Sequence, residues 1–400
     1  MANGGLPSSS MKRMPLFFIM AGHIVVDLSQ NILPVLLPIQ KAAFGLSYSQ
    51  AGLVATMLNV TSSMIQPIFG FISDRWKTDW FISLGILWTA LFMGMTGLAP
   101  SYPLLLLSVT LAGFGTAAFH PRATMGVNYV SGERRGLAMA IYTLGGNLGF
   151  AFGPIFAAFF ILRWGIQSTA WLIAFSVPIA IILYGLRKHL ASPPSAVARK
   201  AGKIAWSGLP WKELLALSLI VTLRSWTYQG FIIYLPLFLQ SKGISLTVGS
   251  RLLFVFLLSG AIAGLLGGHL SDRWGRKKVI AGSLLLFSPL MLLALRLTGP
   301  WVTLFLALAG TMLLAGFSVI IVFAQELMPG NLGLASGLML GLAFGTGGIG
   351  VFISGMMADA FGLERSILLL AFMPALAGLL ALTLKDRHLI GSRGSATQRP

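Results

Sequence analysis

The chain has no cysteine in its 400 residues, so neither disulfides nor thiol chemistry are available to it. Acidic residues number only ten. Charged residues of both signs make up 10%, against about 25% in a soluble protein. No GxxxxGKS/T loop is present, which leaves no visible site for ATP drive. GNLG and GTGGIG lie inside apolar runs, where glycine is common, and not in a βαβ unit. No His, Asp or Glu group has the sequence spacing of a metal site. No cofactor, no metal and no enzymatic activity are expected. The N-terminal MANGGLPSSSMKRMP lacks a short apolar core followed by a small-residue cleavage site, so the first apolar run is read as a spanning helix.

What is abundant is apolar surface. Hydrophobic residues make up 56%, more than a soluble fold can hide. Apolar stretches of membrane-spanning length recur from about residue 15 to residue 385, which predicts an all-α polytopic membrane protein. Twelve spans are expected, at 15–40, 48–72, 80–99, 102–130, 135–161, 166–187, 213–240, 247–271, 278–298, 301–328, 333–360 and 365–385. The long polar stretch 189–212, with SPPS, reads as a cytoplasmic linker. It divides the chain into six-helix bundles at 15–188 and 213–385, with cytoplasmic tails at 1–14 and 386–400.

The formal net charge of +18 could suggest a nucleic-acid partner, but its distribution points to a membrane. With the N-terminus inside, twenty Lys/Arg fall in inner segments and six in outer ones. The positive-inside rule therefore puts both termini in the cytoplasm. Arg122 and Arg224 belong to neither set, because they sit within spans.

The halves echo each other. SDRW occurs at 73–76 and again at 271–274, and GLAMA at 136–140 matches GLASG at 333–337. Parallel repeats of six spans around a midplane site are a transporter architecture.

The repeated loop carries a family pattern. GHLSDRWGRKK, with Gly268, Asp272, Arg273, Gly275, Arg276 and Lys277, resembles the loop of the major facilitator superfamily between spans 2 and 3 and its repeat between spans 8 and 9. The first copy, GFISDRWKTD, keeps Gly70, Asp74 and Arg75 but has Lys77 in place of the glycine and Asp79 in place of a second base. GHIVVDLSQNILPVLLP, FHPRA and AQELMP resemble the fosmidomycin-resistance type of efflux protein. In span 5, Gly145, Gly149, Gly153 and Pro154 resemble the glycine-rich motif of antiporters, without its trailing glycine pair. In span 4, Arg122-Ala-Thr-Met125-Gly126 resembles a motif of proton-coupled members, with Met125 in place of glutamine. The resemblance implies two six-helix bundles with pseudo-two-fold symmetry. It also implies gating roles for Gly70, Asp74, Arg75, Gly268, Asp272, Arg273, Arg276, Gly149, Gly153 and Pro154. A carboxylate at a helix end can accept from the amides of a neighbouring helix and pair with arginine. Such a contact can close in one state and break in another; alternatively it only fixes a turn.

The intramembrane polar groups supply the candidate site. Of the ten acids eight fall in loops or near span ends, and only Asp27 and Glu326 lie well within spans. Asp27 lies about 12 residues into span 1, roughly 18 Å deep at 1.5 Å per residue. Such groups are functional by default, and Asp27 is the first candidate for a coupling proton. His23 and Asn31 share its helix face at i−4 and i+4, and Gln30 lies beside them. Arg122 could pair with Asp27 or bind an anion. Arg224, at similar depth in span 7, is expected to face Asp27 across a central cavity and to bind substrate. His120 beside Pro121 fits a helix kink as well as a proton relay. Glu326, beside Gln325, fits either a second coupling acid or an anchor for the end of span 10. Tyr228 could line a drug site, although aromatics in spans more often pack.

These features predict a proton-coupled exporter of a small drug-like or anionic compound, in a bacterial inner membrane. Its partners are expected to be the substrate, protons and lipid, with no nucleic acid, and it is expected to act as a monomer. Import of a metabolite with protons is the alternative on the same fold. A membrane scaffold or sensor that moves nothing is a third.

Overall fold

A computed structural model describes residues 10–76, 78–190, 209–328 and 332–384. Most of the expected linker, the start of the N-terminal tail and the whole C-terminal tail lie outside the described residues, as does the side chain of Asp74. Every described element is helical, and the helices follow the expected spans to within a few residues. They are α1 (Arg13–Gln30), α2 (Leu33–Phe44), α3 (Tyr48–Ser63), α4 (Gln66–Arg75), α5 (Phe81–Thr96), α6 (Tyr102–Val130), α7 (Arg135–Trp164) and α8 (Trp171–Gly185). The second half holds α9 (Trp211–Ser241), α10 (Leu246–Trp274), α11 (Arg276–Arg296), α12 (Pro300–Ala315), α13 (Phe317–Leu327), α14 (Leu332–Phe361) and α15 (Leu363–Ala381).

Three expected spans are two helices each. Span 1 breaks at Asn31–Ile32, ahead of Pro34; span 2 breaks before Pro67; span 10 breaks at Gly316. Proline lacks the amide that would continue the ladder, and glycine weakens it. Among the described residues nine helical segments are long and apolar enough to cross a membrane. The expected spans missing from that set are the broken span 2, the short α5, and α9, whose middle carries Arg224 to Gln229.

The chain forms two compact units. Among the described residues one comprises 10–46 and 53–190, the other 47–52 and 209–384. In the first, Leu16, Ile19, Val26, Ile82, Ile86, Phe119, Val127, Tyr142 and Leu183 make a core among α1, α5, α6, α7 and α8. Between helices in lipid the attraction is packing rather than the hydrophobic effect, so small residues set the contacts. A Cβ on Gly115 of α6 would lie 2.7 Å from the Thr89 nitrogen of α5. In the second unit a Cβ on Gly310 of α12 would lie 2.1 Å from the Phe256 carbonyl of α10. Large apolar side chains such as Leu162, Ile181 and Leu266 stay exposed, as a lipid-facing surface requires.

Candidate functional site

The site in the first unit begins with how α1 meets α7. A Cβ on Gly145 would lie 2.8 Å from the Met20 carbonyl, and one on Gly149 2.3 Å from the Ile24 carbonyl. One on Gly153 would lie 2.9 Å from Asn31. The glycine row therefore brings the two backbones into direct contact. Gly146 continues it beside the polar groups, where a Cβ would lie 2.4 Å from the His23 ring and 2.7 Å from the Asp27 carboxylate. Pro154 is buried in the same helix.

His23 and Asp27 are each only 8% exposed. Their spacing of four residues places His23 Nε2 3.2 Å from Asp27 Oδ2. From α6, His120 Nε2 stands 3.5 Å from Asp27 Oδ1. Tyr142 of α7 serves both rings. Its backbone carbonyl bonds His23 Nδ1 at 2.8 Å, its ring stacks on His23 at 4.0 Å between centroids, and its hydroxyl reaches His120 Nδ1 at 3.4 Å. Asn31 donates to the Phe150 carbonyl, tying the end of α1 to α7, and Gln30 is half-buried at the last residue of α1.

His23, Asp27 and His120 also offer atoms within 4.8 Å of one another, a spacing that would suit a metal ion. The sequence spacing had excluded such a set, because His120 arrives from another helix. Each of the four ring nitrogens has a partner within hydrogen-bond or ion-pair distance.

Arg122, 2% exposed, lies on the same helix as His120, yet its guanidinium goes elsewhere. It donates to Asp79 and to the Leu190 carbonyl at 3.1 Å. Among the described residues the ion-pair partners of Asp27 are the two histidines.

In the second unit Arg224 is also 2% exposed. Its Nε donates to the Leu313 carbonyl at 3.1 Å and its Nη1 to the Ser225 hydroxyl at 3.0 Å. The guanidinium lies 4.3 Å from the Phe317 ring centre and 5.8 Å from that of Tyr228. No carboxylate among the described residues pairs with it. Gln325 donates to Ser336 at 2.7 Å, and Trp226 to Ser354 at 2.8 Å.

The repeated loop has its own ion pairs. Arg276 opens α11 and donates to Asp272, to Ser271 and, at 3.1 Å, to Glu326 of α13. Glu326 is thus already engaged by an arginine. Gly268 lies near Ser318, and Arg273 is exposed. In the first copy Arg75 lies over the Phe71 ring at 3.7 Å, and a Cβ on Gly70 would face Pro121. No motif marks Asp359, which accepts from the backbone amides of Tyr48 at 2.7 Å and Ser49 at 2.9 Å. These residues group with the second unit, and the carboxylate caps the first turn of α3.

A buried ionisable cluster between a broken first span and the unbroken helices α6 and α7, in an all-helical chain of two units, is what a membrane transporter requires. The sequence model of the Major Facilitator Superfamily matches residues 19–255 and 217–399, and the chain belongs to that family. It is 36% identical to an uncharacterised MFS-type transporter, YfnC, of Bacillus subtilis over 92% of each chain. It is 32% identical to the fosmidomycin resistance protein of Escherichia coli, over 96% of this chain and 97% of that one. A solved structure of a bacterial homologue of the human lysosomal transporter Spinster superposes with a TM-score of 0.81 at 17% identity, covering 97% of this chain and 99% of the other. That last likeness concerns the fold.

Proposed function

We propose that this protein exports a small anionic or drug-like compound, fosmidomycin-type phosphonates among them, in exchange for protons. It does so by alternating access in a bacterial inner membrane, with both termini in the cytoplasm. The observation that carries the reading is the buried cluster of His23, Asp27 and His120. An ionisable side chain at mid-membrane costs roughly 2.5–3.5 kcal/mol on insertion scales. Several together, held by specific hydrogen bonds, form a place where a proton can be taken up and given back as water reaches the site from one side and then the other.

Arg224 supports an anionic substrate. A guanidinium buried with no acid among the described residues beside it is a costly arrangement, and a bound phosphonate or carboxylate would supply the missing charge in bidentate geometry. Its aromatic neighbours would hold an apolar part of the compound. The name of the Escherichia coli relative points the same way. The ties of Arg276 to Asp272 and Glu326, and the glycine row of α7, are the contacts we assign to switching between states.

Expression in a strain stripped of its own exporters tests this reading. Resistance should rise toward phosphonates and related anions, and drug accumulation should fall. Growth gained on a single nutrient, with no change in resistance, would instead favour import.

A further inference from the structure

We infer that the coupling proton is held jointly by His23 and Asp27, and that the Tyr142 carbonyl makes this sharing obligatory by fixing the His23 tautomer. The inference rests on the proposed proton coupling and says where the proton sits.

A backbone carbonyl can only accept a hydrogen bond. His23 Nδ1, 2.8 Å from the Tyr142 carbonyl, must therefore carry a hydrogen. The other ring nitrogen, Nε2, faces Asp27 Oδ2 at 3.2 Å. With a neutral ring and an ionised acid, two lone pairs would confront each other with little water to separate them. One proton between them removes the conflict, giving either an imidazolium beside a carboxylate or an imidazole accepting from a carboxylic acid. One proton enters and one leaves, and no bond between heavy atoms changes.

The remaining groups do not need a second proton. The titratable groups that face the pair are His120 from α6 and Tyr142 from α7. Neutral His120 can donate from Nε2 to Asp27 Oδ1, 3.5 Å away, and accept at Nδ1 from the Tyr142 hydroxyl. From α5 and α8, Ile86 and Leu183 pack beside Gly22 and bring no charge. The cation of α6, Arg122, is bound to Asp79. The pair is therefore a one-proton site. Gly146 is its floor, because any Cβ there would displace the pair. On this reading the antiporter-type glycine row and the proton site are one assembly, and Tyr142 is a positioning residue.

The test measures proton-driven phosphonate uptake into inverted vesicles across a pH series, for the wild type, His23→Gln, His23→Asn and Asp27→Asn. Without His23, Asp27 Oδ2 binds its proton with no acceptor facing it, and only His120, the donor to Oδ1, stays beside the carboxylate. The pH profile of uptake should differ from that of the wild type, because the proton has lost one of its two holders. Asp27→Asn should lose gradient-driven uptake. Histidine variants whose profiles superimpose on the wild type, with Asp27→Asn inactive, would overturn the sharing and leave the exporter reading intact. Full drive in Asp27→Asn would overturn the exporter's proton coupling itself. Should the histidine variants fail to fold, 15N spectra of histidine-labelled wild type and Asp27→Asn decide the point, with only five histidines to assign. In both, His23 Nδ1 should be protonated. Nε2 should carry or share a proton in the wild type at a pH where it is bare in Asp27→Asn. An unprotonated Nδ1, or identical Nε2 signals, would overturn the inference.

Discussion

Arg122 of α6 binds Asp79, two residues before α5 begins, although His120, two positions earlier on α6, reaches Asp27. The second unit has the same kind of tie with the charges exchanged. There the arginine, Arg276, opens α11, and the acid, Glu326, belongs to α13. Both ties fasten neighbouring spans within a unit.

For Arg122 the expected consequence is structural. Removing one member of a buried pair strands the other, at a cost of about 3–5 kcal/mol, less here because Asp79 is partly exposed. Arg122→Ala and Asp79→Asn should each lower the unfolding temperature in detergent. In the double variant their effects should be clearly non-additive. Additive losses would mean that the two side chains act apart.

Arg276 has two acids, so either can cover for the other. Asp272→Asn or Glu326→Gln alone should slow transport several-fold with normal membrane insertion. The double change leaves Arg276 with neither acid and should cost more than the product of the single effects. Transport rates at equal protein in vesicles measure this; unchanged rates in all three variants would leave the loop a role in topology only.

Arg224→Ala should raise the KM for a phosphonate at least tenfold if the guanidinium meets the anion, since a charge-assisted hydrogen bond contributes about 1.5–3 kcal/mol. Arg224→Lys should recover only part of this, because an ammonium lacks the planar fork that stacks and pairs bidentately. An unchanged KM in Arg224→Ala would remove the residue from the substrate site.

Two glycines of α7 offer a contrast. A Cβ on Gly136 would meet nothing within 4 Å, whereas one on Gly149 would lie 2.3 Å from the Ile24 carbonyl. Gly136→Ala should be neutral or stabilising by up to about 1 kcal/mol. Gly149→Ala must push α1 from α7 and should destabilise by about 1–3 kcal/mol. Thermal unfolding of both in one detergent compares them directly.

The sequence made some of this legible and hid the rest for physical reasons. The spans could be read because lipid demands long apolar helices. His23 and Asp27 could be grouped because four residues make about one helical turn. The partner of Arg122 could not be read, since Asp79 is 43 positions away and no local period links them. Tyr142 was invisible for a different reason. It acts on His23 through its backbone carbonyl, a group every residue has. The breaks in spans 1, 2 and 10 were written as Pro34, Pro67 and Gly316, but proline and glycine are also tolerated inside membrane helices, so they did not by themselves mark the ends.

In the proposed cycle the proton that drives export sits on Asp27, shared with His23. Asparagine has nearly the same size and still hydrogen-bonds, so Asp27→Asn should fold and insert while fixing the site in a neutral state. The decisive measurement is uptake of a labelled phosphonate into inverted vesicles with an acidic interior, with substrate exchange at equal pH measured in parallel. Gradient-driven uptake should disappear in Asp27→Asn while measurable exchange remains. Gradient-driven uptake at the wild-type rate would contradict proton coupling through Asp27.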